Sequence, residues 1–203
     1  MVRVNIPNFI TLVRVSLVFL GVIFLSLPSY QIKLFSFAVI GISFLLDYVD
    51  GLAARRLGCV TRIGSLIDTL GDRITENVLL IFFSFCQVIP IYVPIFFITR
   101  SLLADFIRTI AYKSGLGVFE ISRSRLGKAL VSSRWSRVTY SSLKMTVIFL
   151  SMVILVKVKF ATEYLAFLKN SNLLLVTLLV IFSFIRFIAL LCDAGGVLKR
   201  GFL

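Results

Sequence analysis

From Leu34 to Asp72 the chain reads LFSFAVIGISFLLDYVDGLAARRLGCVTRIGSLIDTLGD. It opens as an apolar run close to the length of about 20 residues that crosses a hydrocarbon core. The run ends in two acids, Asp47 and Asp50, continues through Arg55, Arg56 and Arg62, and reaches two more acids, Asp68 and Asp72. Apolar helices that end in paired carboxylates describe a membrane protein with a polar site at one face of the bilayer. Ionisable residues in such segments are costly and mark function.

The rest of the chain extends that reading. Its 203 residues are 59% hydrophobic and 15% charged, and the mean hydropathy is +1.04, which excludes a water-soluble globule. Apolar segments at 9–27, 34–50, 73–89, 91–112, 136–157 and 171–192 predict an all-α integral membrane protein of six transmembrane helices. Pro90 and Pro94 separate the third span from the fourth, because proline removes backbone donors. The first run is read as a mature helix and not a signal peptide, since Arg14 interrupts it and no A-x-A-like site precedes Pro28. The basic, Ser-rich stretch 113–137 suits a short helix lying at the interface. A single domain over residues 1–203 is expected.

Charge and composition narrow the function. There are 22 Lys and Arg against 9 Asp and Glu, a net charge of +13, and no His. The missing His removes imidazole acid/base catalysis and His-ligated zinc. Cys59, Cys86 and Cys192 form neither a disulfide framework nor a CxxC motif. The basic residues punctuate apolar runs instead of covering a soluble face, which favours anionic lipid and phosphate ligands over nucleic acid. Arg3, Arg55, Arg56, Arg62, Lys113, Arg123, Arg125, Lys128, Arg134, Lys199 and Arg200 fall at the ends and in alternate loops, so both termini and these loops are expected to face the cytoplasm.

The acids carry the chemistry. Asp47 and Asp50 are i and i+3, and Asp68 and Asp72 are i and i+4, so each pair projects from one helical face. Four carboxylates around one point cannot all stay ionised without a partner charge. Oxygen-only ligands select hard ions such as Mg²⁺ or Mn²⁺, and a two-metal site of this kind serves displacement at phosphorus. Gly51 and Gly64 let a ligand approach backbone, while Arg55, Thr61 and Ser65 offer donors to a diphosphate. An Asp at a helix end beside an Arg is commonly a surface ion pair, but four acids at this spacing favour the metal site.

The stretch Asp47-x2-Asp50-Gly51-x2-Ala54-Arg55-x8-Gly64-x3-Asp68-x3-Asp72 resembles the full signature of the CDP-alcohol phosphotransferases, position for position. The resemblance implies a six-helix homodimer that transfers a phosphatidyl group from CDP-diacylglycerol to an alcohol and releases CMP. It implies Asp47, Asp50 and Asp68 as metal ligands, with Asp47 and Asp68 bridging two ions. Asp72 would touch a metal and accept the proton of the acceptor hydroxyl. Gly51, Arg55 and Thr61 would contact CDP, with Gly64 admitting the nucleotide.

The opening Asn5-Ile-Pro7-Asn8-Phe-Ile-Thr11-Leu-Val-Arg14 resembles that of phosphatidylglycerophosphate synthases, which adds Asn8 and Thr11 to the CDP site. Arg100, Arg108 and Lys128 resemble that group's acceptor region and would bind the phosphate of sn-glycerol 3-phosphate. The chain departs from the group at Ser101, where Glu is typical, and at Arg73, where Lys is usual. Inositol phosphate, serine or phosphatidylglycerol are alternative acceptors. A membrane ion or metal transporter is the alternative from another class, and the grouping of the acids at one membrane face weighs against it.

Overall fold

A computed structural model describes residues 6–56, 62–113, 130, 133–156 and 162–201. Among them the regular structure is helical, in six elements: α1 (Ile6–Ser26), α2 (Tyr30–Arg56), α3 (Arg62–Phe85), α4 (Tyr92–Lys113), α5 (Arg134–Val156) and α6 (Thr162–Gly201). Four of these contain stretches long and apolar enough to cross a membrane: Phe9–Ser26, Tyr30–Asp47, Arg134–Val156 and Tyr164–Asp193. The other two are helices of similar length, but α3 carries Asp68, Asp72, Arg73 and Glu76 and α4 carries Arg100, Asp105 and Arg108. Composition alone therefore does not assign them to the bilayer.

The helix ends follow local chemistry. Ser29 caps α2 and Ser133 caps α5, their carbonyls accepting the Lys33 amide at 3.0 Å and the Arg137 amide at 3.3 Å. α3 ends in a Schellman turn: Gln87 takes a left-handed φ of 58°, the Val88 amide donates to Phe83 at 2.9 Å and the Gln87 amide to Ser84 at 3.0 Å. Pro90 stays outside the helices, and Pro94 falls in the first turn of α4, where an amide needs no helical partner.

Several expected boundaries move. α3 begins at Arg62, ahead of the expected span at 73, because hydrogen-bonded turns tolerate its polar first half. α6 does not stop near Asp193 but runs through Gly195 and Gly196 to Gly201, 40 residues in all. At 1.5 Å per residue that is about 60 Å, twice a hydrocarbon core of about 30 Å. The expected interfacial helix at 113–137 falls mostly outside the described residues.

The chain forms two compact units, Met1–Val88 with Met152–Lys159, and Ile89–Ser151 with Phe160–Leu203. In the first, α1 packs on α2 and α3, burying Val18, Leu25, Ile40, Leu79, Leu80 and Phe83. Gly21 lets α1 pack tightly on α2, since a Cβ there would run into the Ile40 side chain. In the second, α4 packs on α6, with Phe96 and Phe184 rings 6.2 Å apart. There Asn172 of α6 donates to Ser151 of α5 at 3.2 Å, both residues buried, a hydrogen bond of the kind that joins helices in lipid. Outside these cores stand exposed large apolar residues such as Phe9, Phe35, Phe85, Phe106 and Phe167, far more than water tolerates. They suit a lipid-facing shell.

Candidate functional site

The first unit brings together three of the four signature acids. Asp47 on α2 and Asp68 and Asp72 on α3 each present an oxygen within 4.8 Å of the others. The side chains of Asp47, Asp68 and Asp72 are 37%, 49% and 52% exposed, so a ligand has access. The i, i+4 spacing of Asp68 and Asp72 sets them one above the other on α3, and Glu76 follows one turn later, buried. Gly64 lies on α3 one turn before Asp68. Asp50, Gly51 and Arg55 belong to α2 and Asn8 to α1, but their side chains lie outside the described residues, as does the whole of Thr61.

The centre of the group is a cation, the Arg14 that interrupts the first apolar run. Arg14 of α1 contacts all three acids: Nη1 reaches Asp47 and donates to Asp72 at 2.8 Å, while Nη2 donates to Asp68 at 3.3 Å. Its side chain is 3% exposed. The signal was available, because a lone Arg in the middle of an apolar helix requires a carboxylate partner. Which acids would meet it depended on how α1 packs. Thr11, one turn before Arg14, is buried and turns toward α3.

That packing depends on Gly71. A Cβ at Gly71 would stand 2.7 Å from Thr11 Cγ2 and 3.0 Å from Arg14 Nη2, so only glycine lets α1 come this close to α3 at the carboxylates. Gly71→Val is expected to destabilise the protein by about 1–3 kcal/mol through overpacking. Gly41→Ala, where a Cβ meets nothing within 4 Å, is the control and should not lower thermal stability in detergent.

The donor set fits a hard divalent ion: it consists of carboxylate oxygens, gathered from two helices and partly exposed.

A family model for CDP-alcohol phosphatidyltransferase matches residues 4–193. The chain belongs to this family. Among curated CDP-alcohol phosphatidyltransferases, a CDP-diacylglycerol–inositol 3-phosphatidyltransferase of Schizosaccharomyces pombe is 37% identical over 98 residues, 48% of this chain and 38% of the relative. Two CDP-diacylglycerol–glycerol-3-phosphate 3-phosphatidyltransferases match over longer stretches. That of Wigglesworthia glossinidia brevipalpis is 32% identical over 60% of this chain and 70% of its own length. That of Bacillus subtilis is 28% identical over 55% and 64%. The match thus spans little more than a third of the yeast protein and about two thirds of the bacterial ones. No solved structure matches the chain.

A second polar cluster sits in the other unit of this phosphatidyltransferase-family chain. Arg100 of α4 donates to the Tyr140 hydroxyl at 3.3 Å, and its guanidinium carbon is 5.5 Å from the Tyr140 ring centre. Arg186 of α6 stands 5.2 Å from the same ring and donates to Ser136 Oγ at 2.6 Å. Lys144 Nζ is 5.7 Å from it. Three cations from three helices thus share one aromatic ring, whose faces attract them. Of the residues expected to bind acceptor phosphate, Arg100 is here. Arg108 is on α4 with its side chain outside the described residues, and Lys128 lies outside them altogether. Arg186 and Lys144 were missed; Arg186 carried the same signal as Arg14, a cation inside an apolar run.

Proposed function

We propose that this chain is a metal-dependent membrane phosphatidyltransferase that moves the phosphatidyl group of CDP-diacylglycerol to sn-glycerol 3-phosphate and releases CMP. The observation that carries this reading is the convergence of Asp47, Asp68 and Asp72, from the family's signature, on one point. With Asp50 they would hold Mg²⁺ or Mn²⁺. Divalent ions bound there supply neutralisation of the diphosphate oxygens and of the departing CMP.

The chain's own residues would do the rest. Asp72, the most exposed of the three acids, takes the proton from the acceptor hydroxyl. The hydroxyl oxygen forms a bond to the phosphorus that carries diacylglycerol, and the phosphoanhydride bond to CMP breaks, with the electron pair leaving on CMP. Gly51, Arg55, Thr61, Gly64, Asn8 and Thr11 bind the CDP moiety. On the resemblance to phosphatidylglycerophosphate synthases, Arg100, Arg108 and Lys128 bind the phosphate of the acceptor, where guanidinium groups bind bidentately.

Six transmembrane helices fit this function if the charges of α3 and α4 face the protein and not lipid, as the pairing of Asp68 and Asp72 with Arg14 favours. The distribution of Lys and Arg supports a cytoplasmic site and cytoplasmic termini. The acceptor assignment draws on the two bacterial relatives, and the yeast relative makes inositol the competing acceptor.

The test is incubation of purified protein with CDP-diacylglycerol, Mg²⁺ or Mn²⁺ and separate acceptors, with the lipid product identified by mass. Phosphatidylglycerophosphate is expected from glycerol 3-phosphate, and no phosphatidylglycerol from glycerol. Arg100→Gln should raise the KM for glycerol 3-phosphate by roughly 10-fold or more, the loss of one charge-assisted hydrogen bond of about 1.5–3 kcal/mol. Product from inositol but not from glycerol 3-phosphate would reverse the acceptor assignment. Metal flux into proteoliposomes without CMP release would overturn the enzymatic reading.

A further inference from the structure

Arg14 lies in the middle of an otherwise apolar helix, almost completely buried. A cation so placed is stable only where carboxylates meet it, and one guanidinium here serves three. Two residues that bind nothing themselves in the proposed reaction put it there. Ser43, one turn before Asp47 on α2, donates to the Arg14 carbonyl at 3.1 Å, buried. Gly71, between Asp68 and Asp72 on α3, leaves room for Nη2. Three helices thus combine to hold one charge.

Three carboxylates within 4.8 Å repel one another, and a single guanidinium offsets only part of that charge. We propose that Arg14 is the built-in counter-cation of the carboxylate cluster: it holds α1, α2 and α3 together while no divalent ion is bound, and its fixed charge moderates how tightly the ion is held. This rests on reading the cluster as a divalent-cation site. Arg14 is a positioning residue, acting through the acids.

Thermal unfolding in detergent, in EDTA and then with MnCl₂ or MgCl₂, tests the proposal on wild type, Arg14→Gln and Arg14→Lys. In EDTA the glutamine variant should melt lower than wild type by about 5 °C or more. Added Mn²⁺ should narrow that gap, so its metal-induced rise exceeds that of wild type, and calorimetric titration should show tighter Mn²⁺ binding. Arg14→Lys keeps the charge and should stay close to wild type in both measurements. An equal metal-induced rise in wild type and Arg14→Gln overturns the proposal, leaving Arg14 a packing residue. A wild type with no rise under either ion overturns the metal reading itself, a separate failure. If Arg14→Gln yields no folded protein, Arg14→Gln combined with Asp47→Asn decides, since removing one acid should restore folding in EDTA. A double variant that also fails to fold overturns the counter-charge role.

Discussion

Asp72→Asn is expected to slow CMP release by about 10²–10⁴-fold, the range that general-base catalysis contributes. Asparagine keeps the size and the ability to accept the Arg14 Nη1 hydrogen bond at 2.8 Å, but it cannot take a proton. Asp47 and Asp68 keep their contacts with Arg14, so folding should be little affected. The loss should appear mainly in kcat; because Asp72 also stands among the metal-holding acids, raising Mn²⁺ should offset weakened metal binding but not bring kcat back to the wild-type value. Normal turnover by Asp72→Asn in purified, folded protein would remove Asp72 from the chemistry and require another base.

Asp68→Asn should fail in a different way. Removing a carboxylate that ligates metal costs at least the 10–100-fold in affinity that even the residues supporting ligands carry. Activity at limiting Mn²⁺ should therefore fall by roughly 100-fold or more and recover in part as the metal concentration rises. The structural cost is smaller than for a fully buried pair, which is about 3–5 kcal/mol, because Asp68 is half exposed and Arg14 keeps two other acids. The measurement is the metal dependence of CMP release in the two variants side by side. Saturating metal that largely recovers Asp68→Asn but leaves Asp72→Asn slow separates a residue that only ligates from one that ligates and also takes the proton. The same metal response in both would merge the two roles.

Both predictions rest on residues whose importance is visible without coordinates. Asp47, Asp50, Asp68 and Asp72 stand out because acids are rare in this chain and their spacing is helical. Arg14 and Arg186 also stand out, as cations inside apolar runs, but nothing in the sequence says which partner each meets. Arg14 is 54 residues from Asp68 and 58 from Asp72, a distance that only tertiary packing closes. Gly71 carries no signal of its own, since helical glycines are common in membrane proteins. Its role appears only when the atoms a Cβ would meet are known.

Sequence alone determined the class of molecule and the class of chemistry. Apolar runs near the length of a bilayer need helices, because lipid offers backbone groups no other partner, and clustered acids without His or Cys need hard cations. The helix ends were less legible: α3 starts before its apolar part and α6 continues past two glycines, since backbone hydrogen bonding propagates through residues that hydropathy marks as breaks. What only the tertiary structure decided is how charge is balanced. It set one buried guanidinium against three carboxylates in the first unit, and gathered Arg100, Lys144 and Arg186 around Tyr140 in the second. Electrostatic partnership depends on distances of a few ångströms between helices, and one-dimensional order does not contain them.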